Sequence, residues 1–133
     1  MKTWFLIVAV ALGCLLSGCM FKHVSEQDLL GKYQADLPDG TVEILELLPK
    51  GVCVQEIRLK DGASYKAEGD WKYDVERGRI FLRGIRQALT PPGVPNPDIA
   101  QPPDEVPLAT PVSRTLMGAV TIMMHVGIDY QKQ

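Results

Sequence analysis

Between Leu30 and Arg83 the chain never runs far without a turn signal. Pro38-Asp39-Gly40, Pro49-Lys50-Gly51, Lys60-Asp61-Gly62 and Glu76-Arg77-Gly78 recur about every ten residues. Proline fixes φ and glycine accepts φ > 0, so each cluster favours a reversal. With Gly69 dividing the longest interval, three uninterrupted helical turns never fit between them, and shorter helices are marginal in water. The runs between the clusters are instead strand-like. Gly31 to Leu37 is the first. Thr41 to Leu48 follows, with Leu45 and Leu47 on one face and Val42 and Ile44 on the other. Val52 to Leu59 and Ala63 to Glu68 come next, and Gly69 opens a kink before Trp71-Lys72-Tyr73. Arg79 to Arg83 returns. Short strands at this spacing predict an all-β antiparallel meander.

The second half changes character. Thr90 to Val112 holds eight of the ten prolines. Proline removes a backbone donor and pushes its predecessor out of the helical region, so residues 90–112 are expected to form a long irregular loop. Insertion loop is favoured over recognition segment, because the one PxxP, Pro92-Gly93-Val94-Pro95, lacks a basic neighbour. Strand character resumes at Ser113 to Met117. Val120, Ile122, Met124, Val126, Ile128 and Tyr130 then alternate with more polar residues. Period two over this length predicts one half-buried strand of about 35 Å, bulged or bent near Gly127. The last strand is expected to pair back toward the first and close, or nearly close, the sheet. The predicted fold is a small barrel or half-barrel with a long proline-rich loop.

The N-terminus is of another kind. Lys2 is followed by an apolar run from Trp4 to Leu16, and then by small Ser17 and Gly18. About a dozen apolar residues fall short of a membrane span and match an export signal. The stretch Leu16-Ser17-Gly18-Cys19 resembles the lipobox of bacterial lipoproteins. In that family the cysteine thiol receives diacylglycerol, the peptide before it is removed, and the new amine is acylated. The resemblance implies a signal peptide over 1–18, lipidation at Cys19, a lipidated tether over 19–29 and a single β domain over 30–133. Cys14 is the weaker candidate, since bulky Leu12 stands where a small residue is preferred. Met20 follows the cysteine rather than Asp. The family pattern therefore implies the outer membrane, facing the periplasm, if the source is Gram-negative. The implied partner is membrane lipid, held through the N-terminal acyl chains.

Four further pieces carry a second likeness: Leu29-Leu30-Gly31-Lys32-Tyr33, Leu45-Glu46-Leu47-Leu48-Pro49-Lys50-Gly51, Gly69-Asp70-Trp71-Lys72-Tyr73 and Gly78-Arg79-Ile80-Phe81-Leu82. Together they resemble small lipocalin-like domains of bacterial lipoproteins. The resemblance implies a small barrel and points toward a ligand cavity, for which Trp71, Tyr73 and Met124 are the candidate lining residues, with Leu45 and Leu47 beside them.

Removing residues 1–18 leaves about 115 residues, enough for one core. The net charge of −2 becomes about −3 with the loss of Lys2. No basic block exists, so nucleic acid has no electrostatic footprint. With Cys14 removed and Cys19 acylated, Cys53 has no disulfide partner. Its apolar surroundings predict a buried, inert thiol. His23 and His125 lack metal-ligand spacing, and no metal or cofactor is expected. Asp36 with Asp39, or Glu43 with Glu46, are conceivable carboxylate pairs, although turn and strand-face charges explain them equally. No nucleophile or nucleotide motif occurs, and no catalytic residue is assigned. A lone Cys53 also counts against the disulfide-bearing barrels that inhibit lysozyme. The expected role is a non-enzymatic envelope protein that binds a small apolar ligand or a protein partner. The alternative is a structural or assembly subunit.

Overall fold

The turn clusters reverse the chain as expected, and two of them share one construction. In a computed structural model that describes residues 23–90, 94–101, 107–125 and 128–133, the amide of Gly40 donates to Leu37 O at 3.0 Å and that of Leu37 to Thr41 O at 2.8 Å. Leu59, Gly62 and Ala63 repeat the pattern at the same lengths. Gly40 and Gly62 take φ of +87° and +92°, where a Cβ would be strained. Asp39 and Asp61 complete the turns by accepting from the amides of Thr41 and Ala63 at 2.9 Å.

Among the described residues ten strands form: β1 Gly31–Asp36, β2 Val42–Leu48, β3 Val52–Arg58, β4 Ser64–Asp74, β5 Arg79–Arg83, β6 Leu89–Thr90, β7 Val94–Pro95, β8 Leu108–Arg114, β9 Val120–His125 and β10 Ile128–Lys132. One helical turn, α1 Glu26–Leu29, precedes them. Eight strands close an antiparallel barrel in the order β1-β2-β3-β4-β5-β8-β9-β10, and β6 pairs with β7 outside it. The fold is thus all-β and closed, which decides between barrel and half-barrel. β10 pairs with β1, as the sequence suggested, through Tyr33 opposite Lys132 and Gln34 opposite Gln131.

Three local expectations need correction. Residues 120–130 are a hairpin rather than one long strand. At its tip His125 faces Ile128; past a bulge at Ile128/Asp129, Met123 faces Asp129 and Ile122 faces Tyr130. A two-residue loop alone would exchange the faces of odd and even positions. The bulge restores them, so Val120, Ile122 and Tyr130 are all buried and the alternation crosses the reversal unbroken. Next, the proline-rich stretch carries more structure than a loop: β6 and β7 lie in it, and β8 begins at Leu108 instead of Ser113. β8 even passes through Pro111. The amide of Val112 donates toward β5, to Gly78 O at 2.8 Å. The nitrogen of residue 111 therefore faces β9, where pairing begins only at Val112, and proline forfeits no ladder bond. Finally, Gly69 does not divide two strands. It sits where β4 passes from pairing β3, up to Asp70, to pairing β5. A Cβ there would lie 1.9 Å from Arg83 O, so the crossing requires glycine.

Inward-facing Tyr33, Leu45, Leu47, Cys53, Trp71, Ile80, Leu82, Ile122 and Tyr130 fill the barrel, together with Val24 and Leu29 from the entering segment. Ser25 caps α1 with a capping box completed by Asp28. Val24 and Leu29 thus belong to the core, and α1 plugs the rim that also carries the β2–β3, β4–β5 and β8–β9 hairpins. At the opposite rim the described part of the connection from β5 to β8 packs against the barrel. There Leu37, Ile57, Ala88 and Ile99 form a second cluster.

Candidate functional site

Inward and outward faces separate the candidate residues. Trp71 belongs to the core: it is 5% exposed, and its indole donates to Leu48 O at 2.9 Å. Leu45 and Leu47 pack beside it. Tyr73, two residues on, reaches the N-terminal rim and donates to Val24 O at 2.9 Å. The side chain of Met124 lies outside the described residues, as do the side chain of His125 and the whole of 1–22, with the leader, Cys14 and Cys19. Trp71 and Tyr73 thus share one core cluster, Trp71 within it and Tyr73 packed against it at the rim.

A groove of about 780 Å³ opens at the N-terminal rim. Tyr73, Val75, Val112 and Leu116 give it apolar walls, and His23 and Arg114 stand among its polar groups. Arg114 ties the site together. Its guanidinium donates to Asp28 at 2.7 Å and to Gly118 O at 2.8 Å, joining α1 to the β8–β9 hairpin. Lys132 adds a bond to Asp28 O at 2.6 Å. The Ser25 amide and hydroxyl, with Arg114 beyond them, hold the Asp28 carboxyl below its ordinary value of 3.8. Burial raises the Tyr73 hydroxyl above its usual value. A shallower hollow of about 530 Å³ shares Tyr73 and Val75 and adds Phe81 and Lys72.

At the other rim, polar groups bond beside the second apolar cluster. Gln55 and Arg86 exchange bonds, Nε2 to Arg86 O and the Arg86 amide to Oε1, both at 2.7 Å. The Ala88 amide donates to Glu43 at 3.2 Å. Arg86 also donates to Ile99 O at 2.7 Å and to Gln101 O, and lies 5.9 Å from the Tyr65 ring centre. These groups hold the β5–β8 connection over the barrel mouth. They pair with backbone groups and with the Tyr65 ring.

No carboxylate dyad forms among the pairs the sequence offered. Glu43 is buried inside the barrel, whereas Glu46 is on the outer face. Asp39 is occupied by the Thr41 amide, and Asp36 accepts from Gln34 at 3.1 Å. Among the described residues no group of His, Cys, Asp and Glu could hold a metal. Cys53 is fully buried and free. Burial first, and the Asp70 charge second, push its thiol up to about 11, so the nucleophilic thiolate is suppressed. Arg114, the hub of the site, gave no signal in the sequence, because its partner Asp28 lies 86 positions away.

No protein-family model matches the sequence, and no curated protein does. A solved structure described as a lipocalin-like protein from Bacteroides uniformis ATCC 8492 is similar to this chain at a TM-score of 0.45 and 19% identity, over 80% of this chain and 98% of that one.

Proposed function

We propose that this is a lipid-anchored protein of the bacterial cell envelope whose barrel is a non-enzymatic binding module. Its anchor is Cys19, and its site for a small apolar ligand is the groove at the N-terminal rim. The observation that carries the binding reading is the division of labour along the barrel. The axis is filled around Trp71, Tyr33 and Tyr130, and at the far mouth Arg86 and Ala88 are bonded to Gln55 and Glu43. Open volume with mixed walls lies instead at the N-terminal rim, about 780 Å³ lined by Tyr73, Val75, Val112 and Leu116 with Arg114. Clefts of this size, mostly apolar with a few fixed polar groups, suit small ligands. The anchor is supported by Leu16-Ser17-Gly18-Cys19 after a short apolar leader. If the source is Gram-negative, Met20 favours the outer membrane.

The assembly-subunit reading draws on the exposure of Leu116, at the groove's edge, and of Met117 beside it. Native mass spectrometry of protein extracted from envelope membranes separates the two. A bound lipid or other small apolar molecule, lost in Val112→Asp, supports the groove. A stoichiometric protein partner with no small ligand would replace it with the assembly reading.

A further inference from the structure

We propose that the β8–β9 hairpin tip, Leu116-Met117, docks into the bilayer that holds the acyl anchor, setting the barrel upright on its N-terminal rim. This rests on lipidation at Cys19 and goes beyond it by assigning a second, non-covalent contact. Three turns of the barrel share one construction. Gly118 donates to Thr115 O at 2.9 Å and Thr115 to Ala119 O at 2.8 Å, with Gly118 at φ +85°. That is the geometry of the turns at Gly40 and Gly62. In those two the central residues are Pro38-Asp39 and Lys60-Asp61, at the rim away from the N-terminus. Here they are Leu116-Met117, at the rim beside it. Turn geometry therefore does not call for apolar residues. Met117 even gives up the Asp that bonds the following amide in the other two turns; Thr115 Oγ1 takes that amide at 3.1 Å instead.

Exposure is polarised in the same way. Among the described residues the exposed large apolar side chains are Val75 (52%), Leu116 (107%), Met117 (94%) and Met123 (46%). The first three sit on the β4–β5 and β8–β9 hairpins of the N-terminal rim. His23 lines the same groove as Leu116, and Cys19 precedes it by four residues. The intervening chain reaches at most about 14 Å, so an acylated Cys19 brings this rim to the membrane surface. Lys50 and Arg77 are exposed at this rim and can keep their charges among headgroups while their stems lie against the interface. Glu26 and Glu76 are exposed there as well. Their charges limit the contact to the hairpin tips.

The test uses the full chain, lipidated in a bacterial host and reconstituted into vesicles of phosphatidylethanolamine and phosphatidylglycerol. Leu116→Cys is labelled with an environment-sensitive fluorophore. Cys53 is buried and Cys19 acylated, so the label is site-specific. Asp61→Cys, at the opposite rim, is the control. The expected result is a blue shift at 116 and at least twofold quenching there by lipids brominated in their acyl chains, with neither at 61. A label at 116 that stays in water on vesicles that carry the protein overturns the docking and leaves the anchor standing. A label shielded only in native envelopes assigns the tip to a protein partner and also overturns it. A protein that fails to float with the vesicles contradicts the anchor, and the docking with it.

Discussion

Two tyrosines in one core make opposite demands. Tyr33 is buried and its hydroxyl donates to Leu29 O at 2.7 Å, which pins the end of α1. Tyr130 is equally buried, and its hydroxyl meets no partner among the described residues. Losing a buried bond leaves the carbonyl unpaired and costs about 1–2 kcal/mol, whereas deleting an orphaned hydroxyl relieves a cost of similar size. Tyr33→Phe should therefore lower stability by about 1–2 kcal/mol. Tyr130→Phe should be neutral or stabilising by up to about 1 kcal/mol. Urea unfolding followed by Trp71 fluorescence distinguishes them, and equal losses in both variants would contradict this accounting. At the same scale, glycine and proline in the early turns were legible because their dihedral demands are local. Arg114, Arg86 and Gln55 were not, since each finds its partner only after the barrel closes.

At the scale of elements, α1 is the piece with the most conditional hold. It is one turn long, so its stability comes from the Ser25 cap, the burial of Leu29 and the tie from Asp28 to Arg114. The Asp28 carboxyl lies below 3.8 in the folded protein. A depressed carboxyl contributes stability above its unfolded pKa and loses it as pH falls through the lower folded value. The plug should loosen below about pH 4. The thermal midpoint is expected to fall by a few degrees more over that window in wild type than in Asp28→Asn, which starts lower at pH 7. Parallel curves would remove Asp28 from the account. The C-terminal hairpin shows why element boundaries were harder to read than element type. Its bulge keeps Val120, Ile122 and Tyr130 in phase, so the sequence signal of two strands is identical to that of one. The proline count likewise concealed β8, because only the direction of one backbone nitrogen makes Pro111 compatible with a strand.

For the whole molecule, closure is uneven. β2 and β3 pair along seven positions, whereas β1 and β10 meet at two, reinforced by the Gln133 amide on Lys32 O at 2.9 Å. Openings below global unfolding begin where pairing is thin. Hydrogen exchange should therefore proceed at least tenfold faster at the β1–β10 seam than in β2–β3. Uniform protection around the barrel would contradict that. Chain order foretold closure, because an early strand and a terminal strand were both left without a second neighbour. It did not foretell that α1 and the β5–β8 connection would each pack a cluster at one barrel end. The expected site lay inside, near Trp71; among the described residues a groove opens at the N-terminal rim.

That rim faces a membrane only if the sulfur four residues before His23 carries lipid. Intact and tryptic mass spectrometry of the native protein, purified from membranes, tests this directly. The mature N-terminal peptide is expected to begin at Cys19 with a diacylglyceryl thioether and an acylated amine. A polypeptide that begins at Met1 with an unmodified Cys19 thiol would contradict the account.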